Sequence, residues 1–173
     1  MALSKVPYDL LSGTASVSQM PAGSVLQVVQ SELTTTFTNS TGTWQDTGLS
    51  LSITPSSASN KILIHWAIPN GNTVSTASNG FNLVRNGTDI AQGTGGTYNL
   101  TSSNDSGGSS HIGVNSLVYL DSPATTSAIT YKVQMKNQAG CTGWINRTSS
   151  FNAGSDVYQS CSIAVLVAME VAG

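Results

Sequence analysis

The sequence predicts an all-β protein, an antiparallel β-sandwich of jelly-roll type entered by an extended N-terminal arm. Three observations predict it. From Gly23 onward apolar residues recur with period two in short runs rich in Val, Ile, Thr and aromatic side chains; clusters of Gly, Asn, Ser and Pro separate the runs; and no stretch carries the period of an amphipathic helix. About nine strands are expected in one domain spanning residues 23–173, behind an arm of residues 1–22. At 173 residues the chain is long enough to bury one core without disulfide or metal staples.

The arm holds a short mixed segment, Val6-Pro-Tyr-Asp-Leu-Leu11, followed by small polar residues up to Met20-Pro21-Ala22-Gly23. Pro7 and the Ser, Gly and Thr residues that follow disfavour an independent helix. The segment reads either as a peptide that docks on a neighbour or as a disordered tail. Strands are then expected near Ser24–Gln30, Thr34–Phe37 and Leu49–Ile53. In Lys61-Ile-Leu-Ile-His-Trp-Ala-Ile68, alternation puts Ile62, Ile64, Trp66 and Ile68 on the core face, with Lys61, Leu63, His65 and Ala67 on the other. Within Phe81–Ala91, Asn86-Gly87 tolerates the positive φ values of a two-residue type I′ turn, which predicts a hairpin. A strand near His111–Leu120 follows. Thr130–Lys136 sends Tyr131, Val133 and Met135 inward and its polar residues to solvent. The stretches Asn70–Asn79 and Gln92–Ser110 read as long polar loops, either solvated connectors or recognition loops.

The last strand, within Ser160–Val171, is apolar on both faces, so something must cover both. Ile163, Val165, Val167 and Met169 are expected to fill the core, while Ala164, Leu166 and Ala168 meet neighbouring subunits around an axis. A central strand buried within one subunit is the alternative.

Composition narrows the function. Only 8% of residues are charged, about a third of the usual fraction, while hydrophobic residues reach 39%. Low charge without low hydrophobicity argues against disorder. A net charge of −2 and six scattered Lys and Arg offer no basic stripe for a phosphate backbone, so nucleic acid is not an expected partner. Residues Met1–Met20 lack the apolar stretch of a signal peptide, and no run reaches the roughly 18 apolar residues of a membrane helix. The expectation is a product made in a cytoplasm with no membrane partner. Sequons at Asn39, Asn86, Asn99 and Asn146 are accordingly read as polar loop and strand residues. Cys141 and Cys161 are read as thiols rather than a disulfide.

Catalytic candidates are few. His65 and His111 sit in no triad or metal signature and read as surface or interface residues. Gly93-Thr-Gly-Gly96 lacks the Lys-Ser/Thr of a phosphate loop. The acidic residues are scattered; Asp46, near Trp44, is the candidate for a glycosidase carboxylate pair, against the simpler reading of a turn aspartate in Asp46-Thr-Gly. The sequence calls for no catalytic residue, no metal and no cofactor.

Several phrases carry a resemblance: Met1-Ala-Leu-Ser-Lys-Val6, Gly23-Ser-Val-Leu-Gln-Val-Val-Gln30, Trp44-Gln-Asp-Thr-Gly-Leu-Ser-Leu-Ser-Ile-Thr-Pro-Ser-Ser57, Asn60-Lys-Ile-Leu-Ile64, Leu120-Asp-Ser-Pro-Ala-Thr-Thr-Ser127 with Thr130-Tyr-Lys-Val-Gln134, Ile145-Asn-Arg147 and Met169-Glu-Val-Ala-Gly173. In these the chain resembles short surface proteins of bacteriophages from aquatic and cyanobacterial hosts, often described as tail-fibre-like. The resemblance implies a compact, non-enzymatic β-sandwich displayed on the virion, its partners being further copies of itself in a homotrimer. Two roles follow from it. As a capsid decoration (cement) protein, the chain docks on the major capsid protein through Tyr8, Leu10 and Leu11 of its arm. As a short tail fibre on a tail adaptor, it binds host surface glycan, with Trp44, Tyr98 and Trp144 as stacking candidates and Trp66 assigned to the core. An arm of about 20 residues spans at most roughly 70 Å and lacks the rigidity of a fibre shaft, which favours decoration.

Overall fold

The computed structural model describes residues 19–74, 77–96, 99–105, 111–150 and 161–173. The docking candidates Tyr8, Leu10 and Leu11, and Tyr98, lie outside them. Eleven strands make up the described fold: β1 (Val25–Leu33), β2 (Phe37–Asn39), β3 (Gln45–Ile53), β4 (Lys61–Asn72), β5 (Ser78–Arg85), β6 (Thr88–Ile90), β7 (Ser102–Asp105), β8 (Gly113–Asp121), β9 (Ile129–Asn137), β10 (Gly143–Ile145) and β11 (Ala164–Val171).

All pairings are antiparallel. In the first sheet β1, β11, β4 and β8 run side by side, with β10 and β2 added beyond the far end of β4. In the second, β3, β9 and β5 are neighbours, and β6 and β7 together pair the far side of β5. With β2 and β10 set aside and β6 and β7 sharing one position, the order is that of an eight-strand jelly roll: first, eighth, third and sixth strands in one sheet, second, seventh, fourth and fifth in the other.

The hairpin at Asn86-Gly87 forms as the dipeptide dictates. Asn86 has φ 49° and Gly87 φ 87°, the left-handed pair of a type I′ turn, and Arg85 pairs Thr88 across it. The Asn86 side chain also accepts from Thr130 N at 2.9 Å, tying the turn to β9. Between Asp46 and Ser50 the β3–β9 register shifts, at Gly48 with φ 86°. Asp46 therefore stands on a strand and not in a turn.

The core lies between the sheets, with Leu49, Leu51 and Ile53 of β3 and Tyr131, Val133 and Met135 of β9 opposite Ile62, Ile64, Trp66 and Ile68 of β4. Trp66 is fully buried and donates its indole N–H to Asn115 Oδ1 at 2.8 Å. β11 corrects the sequence reading. Ala164, Leu166 and Ala168 are each 0% exposed and belong to the core, whereas Val165, Val167 and Met169 are half-buried on the outside. Leu166 pairs Trp66, and Ala164 and Ala168 lie diagonal to it. The indole fills the layer there, so its β11 neighbours on that face must be small.

Two strands are further corrections. β7 lies inside the stretch read as the loop Gln92–Ser110, and β10 lacks any alternation long enough to predict. β4 and β5 also extend into Asn70–Asn79, leaving a shorter connection. The polar residues of these stretches build an interior amide network. Among the described residues nine asparagines are buried, including Asn39 and Asn146 of the four sequons. Asn79 donates to Asn70 Oδ1 and Gly71 O at 2.9 and 3.0 Å and accepts from Asn72; Asn146 donates to Leu33 O and Thr35 O at 2.5 and 2.9 Å. A neutral amide satisfies backbone groups where a buried charge would be costly.

Candidate functional site

The ionisable side chains that are buried are engaged inside the fold. Glu170, 1% exposed at the end of β11, accepts hydrogen bonds from Ser56 N (2.6 Å), Ser56 Oγ (2.7 Å), Asn60 Nδ2 (2.6 Å) and Gln27 Nε2 (2.5 Å). Burial alone would raise its pKa, but the hydrogen bonds from Asn60, Ser56 and Gln27 outweigh burial and hold the carboxyl below its ordinary value. Asp121 receives both oxygen contacts of Arg85 Nη1 at 2.8 Å and the Tyr131 hydroxyl at 2.6 Å. Burial, then the Asp121 carboxylate, pushes the Tyr131 phenol upward, so it stays a neutral donor.

Asp46, the glycosidase candidate, faces outward on β3. Its oxygens accept from Lys132 Nζ at 2.7 Å and Gln134 Nε2 at 2.6 Å, and these bonds lower its pKa. No group of three His, Cys, Asp or Glu that would hold a metal occurs among the described residues. Cys141 is buried and Cys161 exposed, both as free thiols.

Two surfaces remain as candidates. One is the outer face of the first sheet. The register sets Val28, Met169, Leu63 and Leu120 in one row across β1, β11, β4 and β8, then Gln30, Val167, His65 and Val118 in the next, then Glu32, Val165, Ala67 and Ser116. Val118 is 70% exposed, Val28 59% and Leu120 47%. A soluble sheet face is ordinarily polar in alternation with its core face; this one is apolar across four strands, and its charges stand at its margins, Glu32 on β1 and Lys61 at the start of β4. His65 sits at its centre. The sequence showed the two-faced apolarity of β11, but not that Val28, Leu63, Val118 and Leu120 join it, because that depends on strand order.

The other is a cleft of about 570 Å³ against the second sheet, lined by Gly80 and Leu100 with Ser78, Ser103, Lys136 and Gln138. Trp44 does not line the cleft but lies beside it at Gly80: a Cβ there would be 3.6 Å from Trp44 Cη2 and 3.4 Å from Leu100 Cδ2. Trp44 thus adjoins a concave, mixed polar and apolar surface. Trp144 does not share it. It belongs to β10 in the first sheet, on the side opposite the buried Ile145, with the Arg147 guanidinium 5.1 Å from its ring centroid.

No protein-family model and no curated protein matches the chain. Among solved structures it matches the infectious bursal disease virus VP2 subviral particle with a TM-score of 0.38 and 11% sequence identity, over 85% of this chain and 37% of that one. The chain therefore spans little more than a third of that protein's length.

Proposed function

We propose that this chain is a non-enzymatic structural subunit of a bacteriophage virion, a homotrimeric capsid decoration protein held to the particle by its N-terminal arm. The observation that carries the reading is the outward apolar face of the first sheet, an assembly surface on a sandwich whose buried carboxylates are already engaged in internal hydrogen bonds. Jelly rolls serve as capsid and lectin domains, an analogy at the level of fold. In this reading the protein is made in the host cytoplasm and needs no cofactor. Tyr8, Leu10 and Leu11 anchor it on the major capsid protein, and the sandwich faces solvent.

A second reading, a short tail fibre with a receptor-binding knob, is favoured by one observation, the cleft beside Trp44. An aromatic ring next to serine hydroxyls and an amide is suited to a saccharide. Gold-labelled antibody against the chain, applied to intact particles, separates the two. Label spread over the capsid facets supports decoration; label confined to the tail overturns it in favour of the fibre.

A further inference from the structure

We infer that the cleft over Gly80, on the outer face of the second sheet, binds a neutral oligosaccharide through its hydroxyl groups. The inference deepens the saccharide reading of that cleft and rests on it, while holding wherever on the particle the chain sits.

The cleft is built around a missing side chain. Asn79 turns inward to donate to Asn70 Oδ1 and Phe81 turns into the core, so Gly80 between them faces outward. Gly80 is not among the glycines with positive φ; its backbone is one that any residue adopts, and glycine stands there for the space it leaves. A glycine inside a strand often marks a place where a ligand or another backbone comes close. The nearest atoms to a Cβ at Gly80 would all be side chain, two Leu100 methyls at 3.4 and 3.5 Å and Trp44 Cη2 at 3.6 Å. Gly80 thus floors a recess with an apolar edge.

Polar groups stand around that edge. Gly80 pairs Ser103 on one side and Lys136 on the other, and Ser78 and Gln138 complete the rim. The side chains of Ser78, Ser103 and Gln138 are exposed and hold no hydrogen bond among the described residues. Each hydroxyl or amide can both donate and accept, as a sugar hydroxyl does. Lys136, the one charged residue among the described lining, is already engaged within the fold, so no spare charge there selects an ion. Leu100 and Ala139 supply apolar surface for the C–H face of a sugar ring, and the volume of about 570 Å³ lies within the range of small-molecule sites.

The test is an array of immobilised oligosaccharides, neutral members built from glucose, galactose, mannose and N-acetylglucosamine beside sialylated and sulfated ones. It is probed with the full-length protein, with Ser103→Trp, with the double variant Ser78→Ala/Ser103→Ala and with Ser50→Lys. Ser78 and Ser103 are exposed, so the substitutions leave the subunit folded, which an unchanged melting profile verifies. Ser50 lies on the outward face of the same sheet and does not line the cleft. The expected result is binding of a neutral member by wild type and Ser50→Lys. Ser103→Trp, which fills the cleft, and the double variant, which lacks two hydroxyls, should each bind about tenfold more weakly or worse. If Ser103→Trp fails to fold, the double variant decides alone. Binding to no member, binding only to sialylated or sulfated members, or affinity unchanged in the folded cleft variants would each overturn the inference. A neutral glycan bound as expected by a protein that gold labelling places on the capsid leaves this site standing and sinks the fibre reading. A protein found on the tail that binds no neutral glycan does the reverse.

Discussion

Leu166 and Trp66 face one another across the β11–β4 ladder, both fully buried, and this pair decides which way the last strand turns. With Leu166 inward, Ala164 and Ala168 go inward beside it, and Val165, Val167 and Met169 are left on the outside. The same alternation places Glu170 inward at the strand end, where Gln27, Ser56 and Asn60 surround it. Pattern alone fixes no facing for a strand that is apolar on both sides; here the bulk of one indole and the needs of one carboxylate fix it.

Truncating Leu166 to Ala leaves a cavity next to the indole. It should lower unfolding free energy by about 3 kcal/mol in chemical denaturation, whereas Val167→Ala on the outer face should cost the isolated subunit under about 1 kcal/mol. Comparable losses at the two positions would contradict the assigned facing.

Glu170 makes stability depend on pH. Its folded pKa lies below the unfolded value near about 4.3, so the stabilisation is fully present above that value and is lost as pH falls through the lower, folded one. Melting temperature should hold from neutral pH down to about 5 and drop below about 4. Glu170→Gln should be less stable at neutral pH by about 2 kcal/mol, since its amide hydrogens oppose the donors of Ser56 and Asn60, and its melting curve should fall less steeply in acid.

At Asp121, Tyr131→Phe removes one donor while Arg85 still holds the carboxylate, at a cost of about 1 kcal/mol. Arg85→Ala leaves a carboxylate that is 5% exposed without its cation and should cost more, about 2–3 kcal/mol, a figure reduced because Arg85 is partly open to solvent. Denaturant titration of both variants checks the order.

Much of the architecture was legible in the sequence because the long strands alternate strictly. Ile62, Ile64, Trp66, Ile68, Tyr131, Val133 and Met135 all take the sides that period two assigns, and Asn86-Gly87 makes its turn. The short strands were not legible: Ser102–Asp105 and Gly143–Ile145 owe their form to the neighbours they pair with, and their residues resemble loops. The asparagines misled for a related reason. A Ser/Thr/Asn-rich composition suggests a polar exterior, yet among the described residues nine asparagines are buried, several of them, such as Asn39, Asn79 and Asn146, donating to backbone carbonyls. The outward apolar face of the first sheet was half legible, since β11 announced a second apolar side but assigned it to the wrong residues.

Trp44 immediately precedes β3 of the second sheet, away from the outer face of the first. Trp44→Ala should leave the trimer mass and particle incorporation unchanged, as judged by native mass spectrometry and by blotting of purified virions. If the variant instead loses adsorption of particles to host cells about tenfold or more, the cleft is a receptor site and the fibre reading gains.

The most direct test of the central claim is the copy number of this chain in purified virions, measured by quantitative mass spectrometry against the major capsid protein. Decoration predicts an abundance comparable to that of the capsid subunit; its absence from the particle, or only a few copies per virion, would contradict it.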